Sequence, residues 1–202
     1  MEVIFSIAVL IMSVVIHEVS HGYAALYLGD PTAKYAGRLT INPLKHLDPF
    51  GSVILPILLA ITKAGFIIGW AKPVPYNPYN VRYGRWGEAL VALAGPASNL
   101  LLAFLFGLVF RLGGGFLPVP FLSLVVSVIL INVVLAVFNL VPIPPLDGSK
   151  LLFAVLPPQA VEVRSALERY GIFLTLVFIL FLWKFLLPVV SFIFSLITGV
   201  PI

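Results

Sequence analysis

The segment of this sequence whose residue types and spacing could do chemistry is His17-Glu18-Val19-Ser20-His21. Positions four apart lie on one face of an α-helix, so both imidazoles can bind a single metal ion. Glu18, beside them, is placed to take a proton from a water activated by that ion. The plainer reading is two buried histidines and a carboxylate held in a structural network. Two facts weigh against it. The chain has 3 histidines, and two of them make this motif. The motif also lies inside an apolar run, where Asp, Lys or Arg at a helix centre costs about 2.5–3.5 kcal/mol and is kept for function.

Two histidines leave a zinc site incomplete, because catalytic zinc takes three protein ligands plus water. A third histidine at the spacing of soluble zinc proteases would fall on Tyr27, and no Glu occurs between Glu18 and Glu88. The remaining donors are Asp30, His46, Asp48, Glu88, Asp147, Glu162 and Glu168. Asp30 and Asp48 each precede a proline, where a carboxylate more often caps a turn. Glu162 and Glu168 interleave with Arg164 and Arg169, as on a solvated helix face. His46 reads as an interfacial loop residue. Asp147 stands apart. It closes the stretch Asn139-Leu140-Val141-Pro142-Ile143-Pro144-Pro145-Leu146-Asp147-Gly148, whose prolines forbid a regular helix. Irregular backbone at membrane depth is tolerated only where it lines protein or a wet cavity. A carboxylate delivered there completes a His-His-Asp set that suits zinc. The structural alternative is an ordinary interfacial Asp turn.

The elements that must position these residues belong to a membrane protein. Of 202 residues, 61% are hydrophobic and 10% charged, with a mean hydropathy of +1.13. A soluble domain runs near 45–50% apolar and about 25% charged. A soluble enzyme, a nucleic-acid binder and a disordered chain are therefore excluded. The net charge of +4 is thinly spread between the apolar runs, which fits loops against anionic headgroups and no nucleic-acid partner. The absence of cysteine removes disulfides and thiolate metal sites.

We expect an all-α polytopic membrane protein with about four to six membrane segments, HExxH on the first. That first run, Val3 to about Leu28, makes roughly 39 Å of helix, enough to span. Glu2 and the internal charged motif argue against a signal peptide. Further runs cover Ser52–Trp70, Trp86–Phe110, Phe121–Val141 and Ile172–Thr198, the last broken by Trp183-Lys184 and Pro188. The loops Gly29–Phe50, Ala71–Arg85 and Pro142–Tyr170 carry Lys34, Arg38, Lys45, Lys72, Arg82, Arg85, Lys150, Arg164 and Arg169, and belong on the cytoplasmic side. One crossing cannot join two loops on one side. Ser52–Trp70, interrupted by Pro56, Lys63, Gly65 and Gly69, is therefore expected to be re-entrant, the competing reading being a plain second crossing that would put Lys72, Arg82 and Arg85 outside. Gly37–Ile41 alternates in polarity and reads as a short strand before the Asn42-Pro43 turn. Lys63, Arg111 and Lys184 read as snorkelling anchors. No internal repeat supports an inverted-repeat transporter.

With these residues in place, the sequence resembles the site-2 protease family of intramembrane zinc metalloproteases. The resemblance rests on HExxH in the first membrane helix and on N-x-x-P-x-P-P-x-D-G at Asn139–Gly148. It also rests on Gly95-Pro96-Ala97-Ser98-Asn99, similar to that family's G-P-x-x-N signature. Asn42-Pro43-Leu44, Asp48-Pro49-Phe50-Gly51 and Gly69–Pro75 look like its compact prokaryotic branch. The resemblance spans about residues 10–155. It implies His17, His21 and Asp147 as ligands of one zinc ion per chain, and Glu18 as the catalytic carboxylate. It implies a single membrane-embedded metalloprotease domain over 1–202, with a catalytic core at about 3–155 and a C-terminal membrane segment at about 171–199. The implied reaction is hydrolysis of peptide bonds within or near transmembrane segments of other membrane proteins. The implied setting is the bilayer of a prokaryotic cell membrane, with the site toward the cytosol. Asn99 and Asn139, beside family motifs, are expected to hold substrate backbone or an oxyanion, the alternative being helix–helix hydrogen bonding. A strand near Gly37–Ile41 is expected to capture the unwound substrate by β-augmentation. Many relatives carry an inserted peptide-binding domain or a regulatory nucleotide-binding domain, for which this sequence has no room. The rival of another class is a non-catalytic membrane metal carrier or zinc-stabilised binding module, which needs the two histidines but no general base between them.

Overall fold

A chain this apolar must satisfy its backbone within each segment, and helices do so. The computed structural model describes residues 2–54, 58, 61, 71–157 and 159–201. The helices are α1 (Glu2–Tyr27), α2 (Thr32–Tyr35), α3 (Arg85–Gly113), α4 (Val119–Asn139), α5 (Gly148–Val155), α6 (Val161–Val177) and α7 (Leu187–Thr198). Among the described residues four helices are long and apolar enough to cross a membrane: Ile4–Tyr27, Arg85–Gly113, Val119–Asn139 and Val161–Thr198.

Polar contacts read out how these helices run. Going up α1, Ser13 and His17 meet Asn99, His21 meets Val91, and Leu28 accepts from the Arg82 N–H. α1 and α3 are therefore antiparallel. α4 returns from the short turn after Gly113 and runs alongside α1, with Asn132 reaching both Asn99 and Ser13. α3, α4 and α7 share an apolar core that includes Ala103, Ile129, Val133, Val190 and Phe194. The loops holding Lys34, Arg82 and Lys150 thus gather at one end of the bundle, and the 114–118 turn lies at the other.

Several expectations are corrected. Pro142–Tyr170 is not a continuous loop, because α5 forms inside it and α6 starts at Val161. The charged residues 162–169 are good helix formers, and Arg164 pairs with Glu168 one turn on at 3.0 Å. Phe178–Leu182 and Trp183–Leu186 are π and 3₁₀ turns that join α6 to α7. The composite of 38 residues is roughly 57 Å long against a hydrocarbon core of about 30 Å. Arg111 does not snorkel alone. Its guanidinium donates to the carbonyls of Leu196 and Ile197 at 2.6 and 2.8 Å, capping the end of α7. Gly37–Ile41 forms no strand. There Arg38 turns inward and donates to the Lys72 carbonyl at 2.7 Å, and the one isolated antiparallel bridge among the described residues pairs Leu47 with Ala71. His46 is buried rather than interfacial, its Nε2 donating to the Thr40 carbonyl at 2.8 Å. The expected re-entrant Ser52–Trp70, Lys63 included, lies outside the described residues apart from 52–54, 58 and 61.

Asp30 ties the two loops at the basic end together, as a turn cap should. Its oxygens accept from the Thr32 hydroxyl and N–H, the Asn80 amide and the Asn77 N–H. Burial pushes its pKa up, but these hydrogen bonds outweigh it and hold the carboxyl below its ordinary range. The stabilisation is fully present above the unfolded-state pKa and is lost as pH falls through the depressed one. Asp30→Ala should therefore lower the thermal midpoint at neutral pH by the equivalent of about 1–3 kcal/mol. The gap from the unsubstituted protein should close in strong acid, as followed by scanning fluorimetry in detergent.

The arrangement of ends gives a second expected outcome. The chain has no cysteine, so a single introduced thiol is unambiguous. An impermeant maleimide should label Lys34→Cys and Lys72→Cys from one face of sealed vesicles, and Phe116→Cys from the other. Labelling of Phe116→Cys and Lys34→Cys from one face would contradict this fold.

Candidate metal centre

α1 brings Ser13, His17 and His21 onto the face it turns to α3. Nothing larger than glycine fits opposite the two rings. A Cβ on Gly95 would lie 2.5 Å from His21 Cε1 and 2.6 Å from His17 Cε1. One residue on, Pro96 cannot donate to the Ala92 carbonyl, and Ala92 lines the cleft. The third arm comes from the irregular stretch after α4. Gly148 lets the chain double back there, since a Cβ would sit 2.2 Å from the Leu140 carbonyl oxygen. Asp147 is thereby set over the histidines. Its Oδ2 lies 3.0 Å from His17 Nε2 and 3.3 Å from His21 Nε2, with the rings perpendicular and 4.6 Å apart. Thr175 of α6 donates to the Pro144 carbonyl at 2.9 Å, and Gly171 lets that helix approach the same oxygen closely.

A chain of hydrogen bonds assigns the protons. Asn132 Nδ2 donates to the Val128 carbonyl and to Ser13 Oγ, both at 2.9 Å, which leaves its Oδ1 to accept from Asn99 Nδ2 at 2.8 Å. Asn99 Nδ2 also donates to the Ser13 carbonyl, so Asn99 Oδ1 is the atom facing His17 Nδ1 at 2.6 Å. His17 must carry its proton on Nδ1. The Val91 carbonyl, 2.7 Å from His21 Nδ1, imposes the same tautomer on the second ring. In neutral rings both Nε2 lone pairs then converge on a carboxylate oxygen. Three lone-pair donors at such separations repel unless a proton or a metal ion lies among them.

Their ligating atoms all lie within 4.8 Å of one another. Tetrahedral zinc bonds to N and O set neighbouring donors roughly 3.3 Å apart, and imidazoles held through their other nitrogen are the usual zinc ligands. The donor set fits zinc. Among the described residues no other group of three such side chains is placed to hold a metal.

Glu18 lies beside this group, its Oε2 accepting from the Val74 N–H at 2.8 Å. The cleft, about 250 Å³, is bordered by Glu18, Val74, Tyr76, Asn139, Asp147 and Lys150 among others. Burial, followed by the carboxylates of Glu88 and Asp147, pushes the Tyr76 phenol up to about 12, so it stays a neutral donor. Asn139 borders the cleft, its Nδ2 donating to the Leu135 carbonyl. Asn99 does not border the cleft. It is fully buried behind His17 with both amide hydrogens engaged, which leaves neither to donate to an oxyanion. The other expected donors stay apart: Asp30 and Asp48 cap turns, His46 bonds Thr40, and Glu168 pairs with Arg164. Sequence reasoning missed Ser13, Asn132 and Lys150. Ser13 precedes His17 by one helical turn, and Asn132 is an amide inside an apolar run. Those signals were present.

Comparison with known proteins matches residues 114–182 to Peptidase family M50. Over 196 residues the chain is 39% identical to "Putative zinc metalloprotease YwhC" of Bacillus subtilis, covering 94% of this chain and 83% of that protein. The chain belongs to peptidase family M50, the site-2 proteases. The M50 relatives include a Rip2 protein of Mycolicibacterium smegmatis, 33% identical over 88% of this chain and 67% of its own length. A Rip2 of Mycobacterium tuberculosis H37Rv is 30% identical over 84% of this chain and 64% of its own. Both carry the same zinc metalloprotease description. No solved structure matches. As an M50 protein with four apolar helices, this is a multi-pass membrane protein.

The close approach at Gly95 is testable. Gly95→Ala should lower zinc affinity by about 10–100-fold, and Asn99→Ala should do so by a comparable factor through His17. Metal content after dialysis against graded chelator reads both, and circular dichroism should show unchanged helix content.

Proposed function

We propose that this chain is an intramembrane zinc metalloprotease that hydrolyses peptide bonds within or near transmembrane segments of other membrane proteins. The convergence of His17, His21 and Asp147 beside Glu18, on an M50 chain, is the observation that carries it. His17, His21 and Asp147 would hold one zinc ion, which when bound supplies a Lewis acid to water and to the scissile carbonyl. Glu18 is the catalytic carboxylate. The Val74 N–H holds its Oε2, and among the described residues no group is bonded to Oε1, which takes the proton of the attacking water. That proton passes to the leaving amine nitrogen as the C–N bond breaks. Asn139, at the edge of the cleft, would hold substrate backbone, and Asn99 acts only through His17. Water enters beside Pro142 and Pro145, both exposed, the latter bordering the cleft.

The 202 residues act as one membrane-embedded domain, with the catalytic core at about 3–155 and the C-terminal segment at about 171–199 packed on it. The site lies toward the cytosolic face of a prokaryotic cell membrane. Supporting this, the cleft opens at the end of the bundle where Lys34, Lys72, Arg82 and Lys150 gather. A metal carrier or zinc-stabilised binding module would have no use for a carboxylate such as Glu18 pinned beside the donors.

In liposomes with a panel of single-span substrates, cleavage should stop with chelator and return with zinc. Glu18→Gln should retain metal while slowing cleavage by about 10²–10⁴-fold or more. Asp147→Ala should lose both metal and cleavage. Near-normal cleavage by Glu18→Gln would remove Glu18 from the mechanism. Full metal retention by Asp147→Ala would mean the site is built from another residue.

A further inference from the structure

Lys150 lies in the first turn of α5, three residues after Asp147, and borders the cleft with Glu18 and Asn139. The same side chain borders a second, more polar cavity of about 450 Å³, with Tyr79, Glu88 and Arg164 around it. It is half-buried, and among the described residues its ammonium has neither an ion pair nor a hydrogen bond. The ring of Phe153 lies 6.0 Å from its Nζ. Arg164 lies over that ring at 5.0 Å, and its Nε bonds Glu168, while its terminal nitrogens have no hydrogen-bond partner among the described residues. Arg85 is anchored close by through the Leu156 carbonyl at 2.9 Å and borders a small adjoining cavity with Lys150 and Arg164. Glu88 is the one carboxylate bordering the two outer cavities, and Glu18 and Asp147 border the cleft on the other side of Lys150, yet among the described residues none of the three forms an ion pair with these cations. A cation in the first turn also opposes the dipole of its own helix. Stability does not explain an ammonium held there without a direct partner.

We propose that Lys150, together with Arg164 and Arg85, forms an anion-binding subsite at the mouth of the cleft that receives an aspartate or glutamate from the juxtamembrane flank of the substrate. The inference rests on the proposed protease reading, including a site facing the cytosol. Lys150 borders both spaces, so a peptide leaving the cleft past it would meet the second cavity. This favours a substrate side chain over a phospholipid headgroup as the occupant. The selectivity has a physical purpose. Cytosolic flanks of transmembrane helices are enriched in Lys and Arg. A cationic mouth repels that majority and admits the few spans with an acidic flank, so discrimination comes from rejection as much as from attraction.

The test uses the full chain carrying Glu18→Gln, so that binding is read without turnover. It is placed in phosphatidylcholine vesicles. The probes are fluorescent peptides with one Leu/Ala-rich span and a single Asp or Lys scanned through the cytosolic flank. At one or two flank positions the Asp peptide should bind about tenfold more tightly than the Lys peptide. Lys150→Glu should reverse that order, Arg164→Glu should narrow it, and Lys150→Met should erase it. Zinc content, measured in parallel, should not change in these variants. Equal affinities at every position, or an order unmoved by Lys150→Glu, would overturn the proposal. So would a second pattern: no Asp preference, with Lys150→Glu abolishing contact with spin-labelled phosphatidylglycerol, which would make the cavity a headgroup site. Failure of the unsubstituted protein to cleave any substrate would overturn the protease reading instead, and the binding order would still decide the subsite.

Discussion

The hydrogen bond from His17 to Asn99 is the interaction on which the cleft depends. In hydrocarbon no water can replace a lost partner, so a buried amide or imidazole keeps its orientation only if every atom is engaged. Asn99 is oriented by Asn132 and the Ser13 carbonyl, and Asn132 by Val128 and the Ser13 hydroxyl. Ser13 and His17 belong to α1, Asn99 to α3 and Asn132 to α4. The bonds that set a tautomer therefore also set the register of three helices. A slip of one residue between α1 and α3 would strand several buried polar atoms at once.

What could be read in advance follows from how local each feature is. His17, Glu18 and His21 are related by the helical period alone. Asp147 was accessible because three prolines announce irregular backbone wherever they occur. Asn99 was recognisable as a polar residue in a motif, but its role depends on the face it presents and on what packs there. That is decided by helix packing across 82 residues of sequence. Ser13 and Asn132, 119 residues apart, are further still from any sequence window. Alternation at Gly37–Ile41 suggested a strand, yet five residues cannot specify a partner, and Arg38 found its acceptors in Lys72 and Pro73 instead. Residues 162–169 were recognised as a helix face while the helix they begin was placed too late, because their polarity hid its continuity with the span.

The stretch from Ala71 to Asn77 does much of the work at the basic end. Arg38 holds it through two carbonyls, His46 accepts from Lys72, Glu18 accepts from Val74, and Asp30 accepts from Asn77. Each anchor is a polar side chain or carbonyl in the loops around α2 or in the C-terminal half of α1. The Glu18 carboxylate is thus tied to a loop, whereas the imidazoles of His17 and His21 are tied to helices, so the two have separate supports.

The helix from Val161 to Thr198 exceeds the thickness of the hydrocarbon by about half its length, and a span of that kind answers to its bilayer by tilting. Its π and 3₁₀ turns lie near the middle, where bending costs least backbone. The half before them is joined to the proline stretch through Thr175 and Pro144, three residues from Asp147. The loop that carries Asp147 is thus tied to the segment whose tilt answers to the bilayer, whereas the imidazoles of His17 and His21 are braced by α3 and α4.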